Sequence, residues 1–307
     1  MRIVVALGST ALHRDGEPRT VEAQRAAVAA ACAALAPVAE AHELVISHGA
    51  GPQAGQLALQ APPHDVPAGG PDEPVAQSEW AIDYMIEQEL ANLLPADAPL
   101  ATVLVMTEVD PEDPAFASPT TFVGPGHGAR AAQRIADQRG WVFRQDGARW
   151  RRVVPAPRPV RIVEIRPLEW LLARGCVVIC AGGGGIPVMS RRGRHTSVGA
   201  DAVVDEHRAS AVLAQDLGAD LLVLAGSADA VRLFAGTPEE RVLLRVSPDA
   251  LAHLPPGAAG PELEAAASFA RTSGRPAVIG SLQHLPEMLT GEAGTRISVH
   301  AGGLEAG

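Results

Sequence analysis

The sequence predicts an α/β protein: a mostly parallel sheet with helices on both faces. Three observations carry this. Strand-like segments alternate with helix-like ones along the chain, the order that parallel pairing with crossover helices requires. Strand candidates such as Cys176-Val177-Val178-Ile179-Cys180 are apolar at every position, as in a strand covered above and below. The 307 residues are 47% hydrophobic but only 3% aromatic, so a large core must be packed by aliphatic side chains and alanine.

In order, Ile3 to Leu7 reads as a first strand, not a signal peptide, and ends in Gly8-Ser9-Thr10. Thr20 is placed to cap a helix through Ala23, Ala27, Ala30, Ala31 and Leu35, which Pro37 is expected to stop. Glu43 to Ser47 is a second strand running into His48-Gly49-Ala50-Gly51-Pro52, with a helix from about Gln53. Residues 61–74, rich in proline and glycine, read as a surface loop. Ser78 to Leu94 has amphipathic helical spacing, and Leu100 to Val109 reads as a third strand.

From Asp110 to Arg161 the alternation weakens, which reads as a small subdomain or lid with strand-like pieces at 141–144 and 150–154. Its cluster Arg149, Arg151, Arg152, Arg158 and Arg161, with Trp150, suits either anion binding or a solvated, salt-bridged face; the acidic chain favours the second. A helix at 167–174, the Cys176 strand, a hairpin around Arg191 to Arg194 and a helix at 206–217 follow. The strand 220–224, the loop 225–229, a helix at 262–272 and a final strand at 277–279 complete the pattern.

The Cys176 strand empties into Gly182-Gly183-Gly184-Gly185. Open α/β sheets place ligands at such junctions, commonly phosphates held by backbone N–H groups; a tight turn without a ligand is the alternative. The net charge of -10 argues against nucleic acid and anionic membranes as partners. No run of roughly 18 consecutive apolar residues suggests a membrane span. Cys32, Cys176 and Cys180, an odd number in apolar settings, read as reduced thiols of a cytoplasmic protein. There is no lysine: all 25 basic residues are arginine, which excludes any mechanism that needs a lysine.

Several motifs occur in one order: Val4-Val5-Ala6-Leu7-Gly8, His48-Gly49-x-Gly51-Pro52-Gln53-x-Gly55, Tyr84-Met85-x-Glu87-Gln88-Glu89-Leu90 and Val109-Asp110-Pro111-x-Asp113-Pro114-Ala115-Phe116. Arg151-Arg152-Val153-Val154-Pro155, Ala181 to Pro187, Gly236-Thr237-Pro238, Gly260-Pro261 and Gly291-Glu292-Ala293-Gly294-Thr295 follow. Together they resemble carbamate kinase, of the amino acid kinase superfamily, across residues 1 to 300.

The resemblance implies a three-layer sandwich with a small protruding subdomain, in one domain spanning 1–307. The acceptor-side half would be 1–175, with a lid at about 110–161, and the nucleotide-side half 176–307. It further implies a homodimer, ATP or ADP with Mg²⁺, and reversible transfer between ATP and carbamate to give ADP and carbamoyl phosphate. Acceptor-side positions fall on Gly8, Ser9, Thr10, His48, Gly49, Ala50, Gly51 and Trp80. Nucleotide-side positions fall on Gly182, Gly183, Gly184, Gly226, Ser227, Asp229 and Arg232, and the catalytic region on Asp205, Glu206, His207 and Glu262.

The sequence departs from the family pattern at these places. Gly-Gly-Asn reads Gly8-Ser9-Thr10, and His-Gly-Asn-Gly reads His48-Gly49-Ala50-Gly51. A helical glycine is Trp80, expected to fill acceptor space, and the lid lysine is Thr121. Ile-Asp-Lys-Asp reads Val204-Asp205-Glu206-His207, Met-Gly-Pro-Lys reads Ala259-Gly260-Pro261-Glu262, and Thr-Asp-Val-Asp reads Gly226-Ser227-Ala228-Asp229. Arg232 replaces a tyrosine beside the base.

Phosphoryl transfer depends on cations that neutralise the moving group, so carboxylates there predict that ordinary kinase chemistry is lost. Arg191, Arg192, Arg194 and Arg208 are the nearby candidates to compensate. Three readings follow: a non-catalytic binding or regulatory homologue, with a nucleotide, a small acid or a protein as partner; a metal-dependent enzyme using Glu206, His207 and Glu262; or a kinase with a changed acceptor. His48 either orients its turn or takes part in catalysis, and Asp229 suits a nucleotide loop or a helix cap.

Overall fold

The computed structural model describes residues 1–12, 20–49, 72–190, 197–255 and 260–307. In chain order the elements begin β1 (Arg2–Leu7), α1 (Val21–Ala41), β2 (Glu43–His48), α2 (Asp72–Leu93), β3 (Leu100–Val103) and β4 (Met106–Val109). Next come β5 (Thr121–His127), α3 (Ala129–Arg139), β6 (Phe143–Asp146), β7 (Arg149–Val154), β8 (Pro159–Ile162), α4 (Ile165–Leu172) and β9 (Val177–Cys180). Then follow β10 (Ile186–Ser190), β11 (Ser197–Gly199), α5 (Glu206–Asp216), β12 (Leu221–Gly226), β13 (Arg232–Leu233), β14 (Arg241–Val246) and α6 (Pro248–Leu251). The chain closes with α7 (Pro261–Ser273), β15 (Ala277–Ser281), α8 (Leu285–Thr290), β16 (Thr295–Ile297) and β17 (Leu304–Ala306).

The central sheet runs β13-β14-β16-β15-β12-β1-β2-β9-β3, with β17 on the outer side of β14. From β15 to β3 every pairing is parallel; antiparallel pairing is confined to β15/β16, β13/β14 and β14/β17. Alternation along β1 divides the core. Val4 and Ala6 pack with Leu213 of α5, Phe269 of α7 and Leu168 of α4. Ile3, Val5 and Leu7 pack with Val28 and Leu35 of α1 and Ile82 and Ile86 of α2. One sheet with helices on each face gives the three layers. Beside it stand a smaller sheet, β11-β10-β4-β8, and the protruding sheet β5-β7-β6 with α3.

Several segments differ from the sequence reading. Thr20 does cap α1, its Oγ1 accepting from the Ala23 N–H, but the helix continues through Pro37 to Ala41. Pro37 and Ala33 are both exposed, so the carbonyl deprived of its i+4 donor faces water. Leu100 to Val109 is two strands in two sheets, turning at Leu104 and Val105. The helix α2 begins at Asp72, six residues before Ser78, with Pro74 in a first turn that does not need its N–H. Strand β15 is not the last: β16 and β17, three residues each, are too short to show a period. The helix from Gln53 and the tip of the 191–194 hairpin lie outside the described residues, although the strands flanking that tip, β10 and β11, do pair.

By length and apolarity alone α1 is a candidate membrane span. Its apolar stripe Ala27, Val28, Ala31, Cys32, Leu35 and Val38 is buried in the core beside α2, which accounts for that composition.

Phe269 is fully buried beneath α7, whereas Trp170 is exposed. Urea unfolding should show Phe269→Ala losing about 3–5 kcal/mol, with Trp170→Ala staying within about 0.5 kcal/mol of the parent.

Candidate functional site

Because β1, β2, β9 and β12 run parallel, their carboxyl ends share one edge of the sheet, where ligands bind in open α/β folds. There the chain turns at Gly8, held by its N–H to the Ala225 carbonyl at 2.8 Å, and at Gly49, held to the Leu7 carbonyl at 2.9 Å. A cleft of about 300 Å³ opens between Gly8-Ser9-Thr10, Gly226-Ser227-Ala228, His207, Glu262 and Gly280.

The amino end of α5 projects toward this cleft. Asp205 caps the helix, accepting from the Arg208 N–H at 2.9 Å. Glu206 Oε1 lies 3.2 Å from where a Cβ on Gly49 would stand, and His207 Nε2 lies 3.8 Å from the equivalent point on Gly8. Asp205, Glu206 and His207 each bring one ligand atom to within 4.8 Å of the others. His207 Nδ1 has no hydrogen-bond partner in the structure, its nearest acid being Asp205 Oδ1 at 3.9 Å. Two carboxylates and an imidazole match a borderline divalent ion such as Zn²⁺ better than Mg²⁺, which prefers oxygen alone. Glu262 curls over the start of α7, tight against Gly260, and borders the cleft from the other side.

No arginine lines this cleft among the described residues. Arg208 turns away to Glu264 at 3.1 Å, and Arg191, Arg192 and Arg194 lie outside the described residues. Arg232 pairs with Glu240 at 2.7 Å, and Asp229 is exposed, 3.7 Å from His284 Nε2; neither borders the cleft. The subdomain arginines are paired as well: Arg151 with Asp146, Arg161 with Glu108, and Arg152 with Asp201 while stacked on Trp141 at 3.8 Å.

Behind the turn at Gly49 lies a buried cluster of which the sequence reading singled out only His48. His48, Glu79 and Asp83 are completely buried. His48 Nδ1 lies 3.0 Å from the Gly49 carbonyl, which can only accept, so Nδ1 carries a proton. Nε2 then shares a proton with Asp83 Oδ1 at 2.7 Å. Glu79 Oε1 accepts from the Gly182 N–H at 2.8 Å, and burial, followed by the charge of Asp83, pushes Glu79 well above the usual carboxylate range. Glu79 Oε2 and Asp83 Oδ2 have no hydrogen-bond partner in the structure. The signal was present: Val75, Ser78, Glu79, Ile82, Asp83, Ile86 and Leu90 form one helical stripe, so two acids sit inside an apolar face.

Two expectations are corrected here. Trp80 is 65% exposed on the outer face of α2, and the side chains of that helix that reach His48 are those of Glu79 and Asp83. Gly182, Gly183 and Gly184 do not line the cleft. The Gly182 N–H is taken by Glu79, the Gly184 N–H by the Ala181 carbonyl and the Gly185 N–H by the Gly182 carbonyl, so these three are committed inside the protein. Ala50 and Gly51 lie outside the described residues. All three cysteines are free; burial pushes the Cys32 thiol up to about 12 and raises Cys180 too, which favours the protonated thiol in both.

The model of the Amino acid kinase family matches residues 1–281. A carbamate kinase from Rhizobium meliloti (strain 1021) is 50% identical, covering 97% of this chain and 93% of its own. One from Haemophilus influenzae is 46% identical, covering 99% of each. The solved structure of Giardia lamblia carbamate kinase bound to AMP-PNP is 32% identical with a TM-score of 0.86, covering 97% of this chain and 98% of that one.

A raised carboxyl means that the folded state holds its proton to higher pH than the unfolded chain. The stability this confers is complete below about 4.5, the ordinary value, and is lost as pH rises through the folded value. Urea unfolding across a pH series should therefore show Glu79→Gln flattening the loss at alkaline pH, with its advantage over the parent growing as pH rises.

Proposed function

The chain belongs to the amino acid kinase family, and we propose that it is a carbamate-kinase-like protein that binds a small ligand without phosphorylating carbamate. One observation carries this reading: the cleft is bordered by Glu262, with Glu206 and Asp205 beside His207, and no described arginine enters it. The chain has no lysine to supply the missing charge.

Magnitude supports the loss of chemistry. A unit charge about 4 Å from a phosphate charge is worth roughly 4 kcal/mol at an effective dielectric of about 20. Since each 1.4 kcal/mol or so of lost transition-state stabilisation is tenfold in rate, even half of that one term slows transfer by more than tenfold. The AMP-PNP-bound relative supports nucleotide binding by this chain. A phosphate placed in this cleft would meet the Glu262 carboxylate, a penalty that an uncharged base and sugar do not incur.

A second reading rests on the three ligand atoms of Asp205, Glu206 and His207 and on the unpartnered His207 Nδ1: a divalent ion at the head of α5. Metal analysis of protein purified without chelator distinguishes the two. One ion per chain, lost in His207→Ala, favours the metal-dependent reading.

The primary test is ATP formation from carbamoyl phosphate and ADP with Mg²⁺, run beside the Rhizobium meliloti relative. The proposal predicts a rate at least about a thousandfold lower; a rate within about tenfold of that relative contradicts it. Glu206→Lys with Glu262→Lys should tighten ATP binding by about tenfold or more, measured by calorimetry.

A further inference from the structure

A cavity of about 610 Å³, larger than the cleft and sharing no lining residue with it, lies beside the antiparallel edge of the central sheet. Its charged lining is Arg245, Arg296, His300 and Glu305, and Ser298 and Thr290 add hydroxyls. Arg245 and Arg296 stand directly opposite each other on the parallel strands β14 and β16. Neighbouring strands lie about 4.8 Å apart, and like charges facing across that gap repel. A register shift between Leu243 and Arg245, where β17 joins, accompanies the outward placement of Arg245.

Neither guanidinium has an ion pair or hydrogen bond to a described residue, whereas Arg2, Arg151, Arg152, Arg161, Arg208, Arg232 and Arg275 all have carboxylate partners. Glu305 faces Arg245 from the opposite strand, β17, yet makes no ion pair with it. Arg296 passes over Gly291 at the end of α8, its Nη1 3.3 Å from the place of a Cβ there. The partial charge of that helix end, about half a unit, offsets only part of one guanidinium. A basic cavity with an uncompensated pair is out of keeping with a chain of net charge -10.

We propose that Arg245 and Arg296 are the floor of a second binding site, separate from the cleft, for a small phosphate-bearing dianion. Two guanidinium forks a strand apart match a phosphate group, whose several oxygens bridge both; a single carboxylate engages one fork. The Ser298 hydroxyl and the His300 imidazole supply further donors at the rim. This site does not depend on whether the cleft is catalytic.

The test is calorimetric titration of the full chain with inorganic phosphate and, separately, with glycerol phosphate, repeated on Arg245→Gln, Arg296→Gln and, as a cleft control, His207→Ala. The expected result is binding at about 1 mM or tighter, weakened about tenfold or more by either arginine substitution and unchanged in His207→Ala. Tighter binding of inorganic phosphate identifies the free ion as the ligand class, and tighter binding of the ester an organic phosphate; both support the site. Without phosphate, Arg296→Gln should unfold at the same or a higher urea concentration than the parent, because a repulsion has been removed. Binding absent below about 10 mM, or sensitive to His207→Ala and not to the arginine substitutions, overturns the proposal.

Discussion

The site region depends on one close approach: the Gly182 backbone against His48 and Glu79. A Cβ at Gly182 would stand 2.6 Å from both His48 Nε2 and Glu79 Cγ, so only glycine lets the turn after β9 close on α2 and the end of β2. That contact has consequences along the chain. Two residues on, Gly184 takes φ +90 and packs against the Val204 carbonyl, with no room for a side chain. Val204 precedes Asp205, Glu206 and His207, so the glycine turn sets where the head of α5 stands relative to Gly8 and Gly49.

The same approach places two carboxylates in the interior. Burying an isolated carboxylate is costly unless it is protonated or paired, and here both routes are used. Asp83 shares a proton with His48, and Glu79 is held toward its neutral form while it accepts from Gly182. His48, Glu79 and Asp83 thus form a buried, proton-holding assembly. The cleft keeps its strand ends and turns but carries the Glu262 carboxylate, whereas Arg245 and Arg296, without an ion pair among the described residues, lie toward one edge of the sheet on β14 and β16. Shape and charge part at one point: the backbone is that of a kinase family, and Glu262 sets a carboxylate on a cleft whose other polar side chains are Ser9, Thr10, His207 and Ser227.

Much of the fold was legible because the central strands are apolar on both faces and each ends in a turn the sequence marks, as at Gly8 and Gly49. What escaped did so for definite reasons. Pro37 marks a stop only where the freed carbonyl is buried; facing solvent, it is tolerated. Leu100 to Val109 has no break in its apolar pattern, and its turn at Leu104 depends on which sheet each half joins. At the site, Glu206, His207 and Glu262 were singled out through their place in the motifs; His207 and Glu262 line the cleft, and Glu206 stands next to Gly49. The glycines 182–184 look like a phosphate cradle in sequence because nothing there shows that the Gly182 and Gly184 N–H groups already have acceptors. Glu79 and Asp83 were hidden by the assumption that acids on a helix face water, although their spacing put them on the buried stripe.

Comparing ATP with adenosine by calorimetric titration, in the presence of Mg²⁺, tests the central claim most directly, because the two ligands differ only in the phosphates that meet the acidic cleft. The account predicts that ATP binds no more tightly than adenosine. ATP binding tighter by about tenfold or more would show that the cleft welcomes the phosphates, and would contradict it.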